Sequence, residues 1–540
     1  VSGFRTELGL NIFKAKYAQN RYETWEDRCH AVINSVCGDV GGTKNKLMDK
    51  SDADQLMQYM IDFKWVPGGR YLWYGGRKAR FYNNCYLLKA EEDTREEWAA
   101  LWARAGSCLM TGGGIGIDVS QFRPKGRTLS KTGGVSSGPI PFLYATNEIG
   151  RNVMQGGSRR SAMYGSMNWR HEDAGEFLTM KNWSEEVRAR KEQDFNAHAP
   201  LDMMNVSLNY DDAWLQDMNN DVFMTNVKQA MMTGEPGFSF NFGSKQNETL
   251  RNACCEVVSE DDSDVCNLSS VNLSRIESLD EFKDVVRLVS KFLVCGLIRA
   301  ELPYTKIEEV RQKNSRLGLG LMGMHEWLLK RGHRYEVTDE LKSWLKVYRD
   351  ESKKAADEHC DRLYLNRPKG YRAIAPTGTI SIIAGTTSGI EPVYSVAFKR
   401  RYLTDGTRWK HEFVVDATAQ TLIDQGINPD SIESATDLAA DPERRIKFQH
   451  DVQAYVDQAI SSTINLPEYG TELNNEDLIP QYAGWIQKYA KGLRGLTVYP
   501  NAARGGQPIT SVPYDEAIKK SGIVFEDNSE EQCLSGVCGI

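Results

Sequence analysis

The chain reads as an α/β protein with a largely parallel sheet, and three observations lead there. From about residue 85 onward, short apolar or β-branched runs alternate with helical patterns, the signature of strand-helix-strand units. Hydrophobic residues make up 41% and charged residues 26% of the 540 positions, ordinary for a folded protein with a sizeable core. No run approaches the roughly 18 consecutive apolar residues that a membrane helix requires, so no membrane association is expected. Length alone does not choose between several ordinary domains and one large barrel.

Residues 1–60 read as helical and charged, with Trp25, Val32 and Ile33, then Met57, Met60 and Ile61, at near-helical spacings. They are expected to form a small N-terminal helical cap. Strand signals follow at Gly114 to Val119, Met204 to Leu208, Gly237 to Phe242, Ile374 to Ala375 and Gly495 to Tyr499, separated by helices such as Leu279 to Leu297 and Leu341 to Arg362. Residues 466–480 and the last fifteen look loose, and there is no internal repeat, low-complexity tract or linker. The expected division is a cap over 1–60, a catalytic α/β unit over 61–520 and a flexible tail over 521–540.

The net charge of −7 gives no global attraction to DNA or to anionic membranes, so phosphate binding must come from local donors. Eleven cysteines, odd in number and unevenly spaced, follow no signal peptide. They point to free and catalytic thiols in a cytoplasmic protein, and away from a secreted disulfide framework.

The densest chemistry lies in Asn252-Ala253-Cys254-Cys255-Glu256, followed ten residues later by Cys266-Asn267-Leu268. In Asn-x-Cys-x-Glu the polar side chains fall on alternate residues, so an extended backbone would project all three to one face. An arbitrary Cys-Cys pair is more often a buried structural cluster, but other features accompany this one. Asn83-Asn84-Cys85 follows a Gly-rich stretch, and the chain ends in Cys533-Leu534-Ser535-Gly536-Val537-Cys538. A terminal Cys-x4-Cys on an acidic, Ser-containing segment reads as a mobile arm with an exchangeable dithiol. No metal site is expected there, because zinc needs four ligands and no second Cys or His pair stands nearby. Pro376-Thr377-Gly378-Thr379-Ile380-Ser381 offers backbone donors and hydroxyls for a phosphate. The loops containing Lys125-Gly126 and Gly156-Gly157-Ser158-Arg159-Arg160 read as basic turns.

Taken in order, these segments resemble the catalytic subunit of ribonucleotide reductases over roughly residues 60–540. The resemblance rests on Asn83-Asn84-Cys85, Gly112 to Asp118, Gly133 to Pro139, Arg159-Arg160-Ser161-Ala162, Asn252-x-Cys254-x-Glu256, Cys266 to Leu273, Pro376 to Ser381 and Leu496-Thr497-Val498-Tyr499. It implies a ten-stranded α/β barrel of two half-barrels with the Cys254 loop threaded through its centre. It also implies roles. Cys254 would carry a thiyl radical that abstracts the ribose 3'-hydrogen, Glu256 would act as general base on the 3'-hydroxyl, and Asn252 would hydrogen-bond the sugar hydroxyls. Cys85 and Cys266 would close to a disulfide as the 2'-hydroxyl leaves as water. Cys533 and Cys538 would reopen it by thiol-disulfide exchange, and a thioredoxin or glutaredoxin-like protein would reduce the tail. Pro376, Thr377, Gly378, Thr379 and Ser381 would hold the phosphates of a ribonucleoside di- or triphosphate. Lys125, Gly126, Gly156, Gly157, Arg159 and Arg160 match specificity loops that bind a deoxynucleoside triphosphate effector. A homodimer is the expected assembly. Many members carry an N-terminal ATP-cone that sets overall activity; too little chain precedes Cys85 for one, so no such site is expected.

The family divides by radical source. In class I a separate metal-containing subunit sends the radical through two adjacent tyrosines; here the matching positions are Val498-Tyr499. With one tyrosine missing, Leu496 to Tyr499 is more similar to class II, in which adenosylcobalamin makes the radical. The expectation is adenosylcobalamin, with Tyr499 on its face of the protein. The alternative is no bound cofactor and a separate metallo-subunit. The end Gly536-Val537-Cys538-Gly539-Ile540 lacks the Arg and Tyr of a glycyl-radical motif. A non-catalytic nucleotide-binding paralogue would be expected to have lost some thiols or Glu256, all of which are present.

Overall fold

The structure, a computed structural model, describes residues 3–38, 46–153, 162–194, 197–404, 408–503 and 509–526. Its N-terminal part holds three helices, α1 (Glu7–Lys16), α2 (Trp25–Cys37) and α3 (Lys50–Ile61). Thr24 starts α2 with a reciprocal capping box to Asp27, which satisfies amides the first turn would otherwise leave open. Of the apolar residues expected to be periodic, Trp25, Val32, Ile33 and Met60 are buried and Met57 and Ile61 are half-buried. They belong to one core with Phe292, Val289 and Val285 of the long helix Leu279–Arg299, so α1 to α3 share the interior of the main body.

The strands run, in chain order, β1 (Trp65–Pro67), β2 (Cys85–Lys89), β3 (Gly114–Asp118), β4 (Met163–Asn168), β5 (Met204–Tyr210), β6 (Gly237–Phe240), β7 (Leu250–Arg251), β8 (Val258–Ser259), β9 (Asp264–Cys266), β10 (Leu268–Asn272), β11 (Gly318–Met322), β12 (Ala397–Thr404), β13 (Arg408–Val415), β14 (Thr463–Leu466), β15 (Gly495–Pro500), β16 (Ile509–Ser511) and β17 (Val524–Glu526). β2 to β6 pair in parallel, each with the next. Parallel neighbours need crossovers, and helices Arg95–Met110, Pro139–Asn152, Ala174–Thr179 with Glu185–Gln193, and Asp221–Thr233 provide them. β2 to β6 are buried at nearly every position, as expected when a parallel sheet is covered on both faces.

A second parallel set curls the sheet toward closure. β10 pairs with β11; the bridges Leu319↔Arg372 and Ile374↔Ile460 carry the pairing through extended backbone toward β14, which pairs with β15. The two sets meet antiparallel, β15 against β6 on one side and β9 against β2 on the other, and Asn267 alone separates β9 from β10. The result is an α/β fold with a barrel-like sheet and N-terminal helices. A small core of Cys85, Leu87, Leu250, Ala253, Val257, Cys266, Leu268, Ala373 and Ala375 joins residues of both parallel sets to the Asn252 loop.

Two segments depart from the sequence reading. Residues 466–480 are pinned and not loose: buried Asn474 donates to the carbonyls of Met231 and Pro467, and Gly470 N–H donates to Asn474 O. Residues 524–526, assigned to the tail, form β17 against β13 in a four-stranded antiparallel sheet ordered β16-β12-β13-β17. The strand follows the Gly522 turn, and Ser521, just before that turn, already bridges to Phe413 of β13. No helix among the described residues is long and apolar enough to cross a membrane.

Candidate active site

The Asn252–Val257 loop is carried by the short hairpin β7/β8 and projects between the two parallel sets. On one side it presses on β3: a side chain at Gly116 would overlap the Arg251 carbonyl, so only glycine lets the loop lie this close. On the other side Ala459 N–H donates to Glu256 O at 2.8 Å. Arg251 anchors the root; its buried guanidinium donates to Asn241 Oδ1 at 2.7 Å and to Arg494 O at 3.2 Å.

The loop is a turn and not the extended segment that the alternating pattern would require. Cys255 N–H donates to Asn252 O at 2.9 Å, Cys255 has φ +72°, and Val257 N–H donates to Asn252 Oδ1 at 3.0 Å. Asn252 therefore staples the loop from within, while its Nδ2 is buried without a protein partner. Cys254 and Glu256 line a cavity of about 250 Å³ together with Cys85, Asn84, Ser269, Ser270, and Pro376 to Ile380. The cavity wall carries unused acceptors and donors: Glu256 Oε2, Asn84 Oδ1 and Ser269 Oγ are buried and bond to no protein group. Buried polar groups left open in this way call for a polar ligand.

Burial pushes the Glu256 carboxyl up to about 8, with the Cys85 thiol adding to the shift and the Asn252 side chain opposing it. A carboxyl held near neutrality suits proton transfer at physiological pH. Cys85 and Cys266 stand directly opposite each other across the antiparallel β2/β9 pair. Opposed residues of such a pair have Cα atoms about 4.5–5.5 Å apart, within the range a disulfide spans. Burial and a hydrogen bond with Cys85 raise the Cys266 thiol well above its ordinary value. Cys85 faces the cavity and Cys266 lies behind it.

Cys254 also lines a second cavity, of about 270 Å³, on the other side of the loop. Cys255, Tyr164, Asn205, Ser207, Arg251, Ser461 to Thr463, Arg494 and Leu496 to Tyr499 form its wall. Burial and then Glu256 push the Cys255 thiol up to about 12, which keeps it protonated and unreactive as a nucleophile. Burial, reinforced by Arg251, disfavours the charge on Arg494.

Among the other residues anticipated from sequence, Thr377 has φ +52° and its Oγ1 accepts from Gly389 N–H at 2.8 Å, which holds the 376–379 turn against the cavity. Ser381 is buried behind it, its hydroxyl 2.8 Å from that of Ser388. Lys125 and Gly126 sit in an exposed loop; Gly126 N–H donates to Ser136 O at 2.8 Å and Lys125 N–H to the Asp173 carboxylate at 3.0 Å. Gly156, Gly157, Arg159, Arg160, Cys533 and Cys538 lie outside the described residues. Sequence reasoning assigned no role to Asn84, Ser269 and Ser270, though they sit inside quoted motifs, and passed over Tyr17, Arg251 and Arg494, whose approach to the cavities depends on long-range packing. Among the described residues no group of three or more His, Cys, Asp or Glu side chains is arranged to hold a metal ion.

A thiol poised between two cavities, with an opposed thiol pair and a carboxyl on one side of it, is the arrangement of an oxidoreductase that works on a polar organic substrate. The chain belongs to the ribonucleotide reductase family: the model of the ribonucleotide reductase barrel domain matches residues 83–235, 218–347 and 367–499. With the family comes its general function, the synthesis of deoxyribonucleotides by radical chemistry. The chain is similar to a vitamin B12-dependent ribonucleoside-diphosphate reductase of Mycobacterium tuberculosis, 26% identical over 600 residues and covering 94% of this chain and 82% of the relative. Its fold is similar to a B12-dependent (class II) ribonucleotide reductase, with TM-score 0.72, 16% identity and coverage of 100% and 98% of the two chains. It is also similar to the class Id ribonucleotide reductase alpha subunit of Actinobacillus ureae, with TM-score 0.71, 16% identity and coverage of 92% and 97%.

Proposed function

We propose that this chain reduces ribonucleoside di- or triphosphates to their 2'-deoxy forms with a thiyl radical on Cys254, in a ten-stranded barrel of two half-barrels. The observation that carries the reading is the position of Cys254 in the walls of both cavities. One cavity holds the reducing thiol Cys85, Glu256 and the 376–379 turn; the other holds Tyr499. A radical arriving from the second cavity meets Cys254 before it can meet substrate in the first.

In the substrate cavity the Cys254 sulfur takes the 3'-hydrogen and Glu256 takes the 3'-hydroxyl proton, a role worth on the order of 10²- to 10⁴-fold in such reactions. The unpaired Asn252 Nδ2, Asn84 Oδ1 and Ser269 Oγ are available to the sugar hydroxyls. The 2'-hydroxyl leaves as water. Cys85 and Cys266 supply two electrons and two protons and become a disulfide, Cys254 returns the hydrogen to the 3'-carbon, and Glu256 returns its proton to the 3'-oxygen. Backbone donors of Thr377, Gly378 and Thr379, with the Ser381 turn behind them, hold the phosphates.

The second cavity is read as the adenosylcobalamin side because its wall is polar: Tyr164, Asn205, Ser207 and Thr497 would hold the hydroxyls and ring edges of the cofactor's nucleoside part. When bound, that cofactor supplies a carbon-centred radical by homolysis of its cobalt-carbon bond. The similarity to the vitamin B12-dependent reductase of Mycobacterium tuberculosis supports this source. A class I reading, with a separate metallo-subunit, is favoured by one observation, that Tyr499 shares a cavity with Cys254.

The remaining assignments are parts of the same proposal. Residues 1–60 form the cap, 61–520 with β17 the catalytic unit and the residues after β17 the redox tail, with Cys533 and Cys538 reduced by a thioredoxin or glutaredoxin-like protein. Lys125, Gly126, Gly156, Gly157, Arg159 and Arg160 bind the deoxynucleoside triphosphate effector beside a homodimer interface, and the enzyme is cytoplasmic without direct DNA contact. The test is anaerobic turnover of CTP and CDP with a dithiol and an effector, with and without adenosylcobalamin. Deoxycytidine product that requires the cobalamin supports the proposal. No product in either arm, from a sample that binds nucleotide, overturns the cobalamin assignment.

A further inference from the structure

Helix α1 does not stand apart from the catalytic cavity. Its N-terminal end is fixed by Arg5, whose guanidinium pairs with buried Glu326 and donates to Gly385 O at 2.9 Å. Further along, α1 lies on the short helix Ile380–Ala384 so closely that a side chain at Gly9 would meet Ile382 O at 2.8 Å and Ile383 O at 3.0 Å. The helix thus runs from Gly385 back toward Thr379. It ends at Tyr17, which lines the Cys254 cavity beside Gly68, Gly69 and the 376–379 turn. Tyr17 is 6% exposed, and its phenol oxygen lies 2.9 Å from where a Gly69 side chain would begin. Gly69 therefore fixes how deep the phenol sits.

We infer that Tyr17 is a substrate-binding residue whose hydroxyl hydrogen-bonds the phosphate chain, so that α1 and the 376–379 turn together set which phosphate state is accepted. The inference rests on the proposed reading of this cavity as the ribonucleotide site. Two features favour the phosphate over the ribose. Cys254, Glu256 and Cys85 occupy the reacting part of the cavity, whereas Tyr17 arrives on the helix that packs against the residues following Thr379. A phenol also donates well to an anionic oxygen, and hydrogen bonds to charged groups are the stronger ones.

The experiment is equilibrium binding of CDP, CTP and cytidine to the full chain and to Tyr17→Phe, which keeps the ring packed and removes the hydroxyl. Loss of a bond to a charged group is expected to weaken the preferred nucleotide about tenfold or more. Cytidine binding and effector binding should be unchanged, and in turnover KM should rise with kcat within about twofold. Gly69→Ala, which displaces the phenol, should act in the same direction. A 3-fluorotyrosine at position 17 gives a second readout: its fluorine resonance should move on adding nucleotide but not cytidine. Equal affinity of Tyr17→Phe and the unaltered chain for both nucleotides, or a fluorine signal insensitive to nucleotide, overturns the inference and leaves the cavity assignment standing. Failure of the unaltered chain to bind either nucleotide overturns both.

Discussion

Replacing Glu256 by Gln should change the pH dependence of stability in a way that isolates one buried carboxyl. Burial raises this group from the ordinary 4.5 to about 8, so between those values the folded state holds a proton that the unfolded state has released. Stability associated with the group is full below pH 4.5 and is lost as pH rises toward 8. At about 1.4 kcal/mol per tenfold change in proton affinity, the charge costs the fold about 3 kcal/mol at pH 7 and about 5 kcal/mol above pH 8. Gln cannot ionise. Its other effects, such as an amide in place of a hydroxyl, do not vary with pH. The difference in urea unfolding free energy between Glu256→Gln and the unaltered chain should therefore shift toward the variant by several kcal/mol between pH 5 and pH 8.5. A flat difference over that range would refute the reasoning, because it would mean that Glu256 titrates like an exposed carboxylate and is not held as a proton-transfer group.

Other consequences can be checked independently. Cys254→Ser should abolish deoxynucleotide formation while leaving equilibrium binding of nucleotide within about twofold, since the thiol forms one part of a large polar wall. Cys85→Ser and Cys266→Ser should each prevent the disulfide found by peptide mapping after turnover without reductant, and should stop net reduction in a dithiol-supported assay. Gly116→Ala should destabilise the fold by about 1–3 kcal/mol or more, because the Arg251 carbonyl occupies the space the methyl needs; thermal unfolding measures it. For Asn474→Ala, the loss of one buried and one part-buried hydrogen bond should cost about 1–3 kcal/mol and open the 467–478 turn to proteolysis.

Much of this site can be read from sequence because its chemistry is local. Asn252, Cys254 and Glu256 fall within five residues, and Thr377 to Thr379 form one turn. Even so, the alternating pattern misled on conformation: the left-handed Cys255 and the Asn252 staple make a turn, and no propensity argument anticipates the packing against Gly116 that enforces it. The opposition of Cys85 and Cys266 is a product of β2/β9 register, set by strands far apart in the chain. Tyr17 carries no motif at all; it reaches the cavity because Arg5 and Gly9 dock α1 on a helix more than 360 positions later. The strands β3, β5, β6 and β15 were legible as short apolar or β-branched runs, and the helices Leu279–Arg299 and Asp339–Arg362 by a periodicity sustained over more than twenty residues. The sheet β16-β12-β13-β17 was not, since its charged strands lack the clean alternation of a half-buried ladder.

The most direct test of the account is a single anaerobic turnover with adenosylcobalamin and without external reductant, run on the unaltered chain and on Cys254→Ser, with deoxynucleotide and the sum of the Cys85–Cys266 and Cys533–Cys538 disulfides quantified in the same samples. The account predicts equal amounts of both from the unaltered chain and neither from the variant. Product from Cys254→Ser, or product from the unaltered chain with Cys85, Cys266, Cys533 and Cys538 all still reduced, would contradict it.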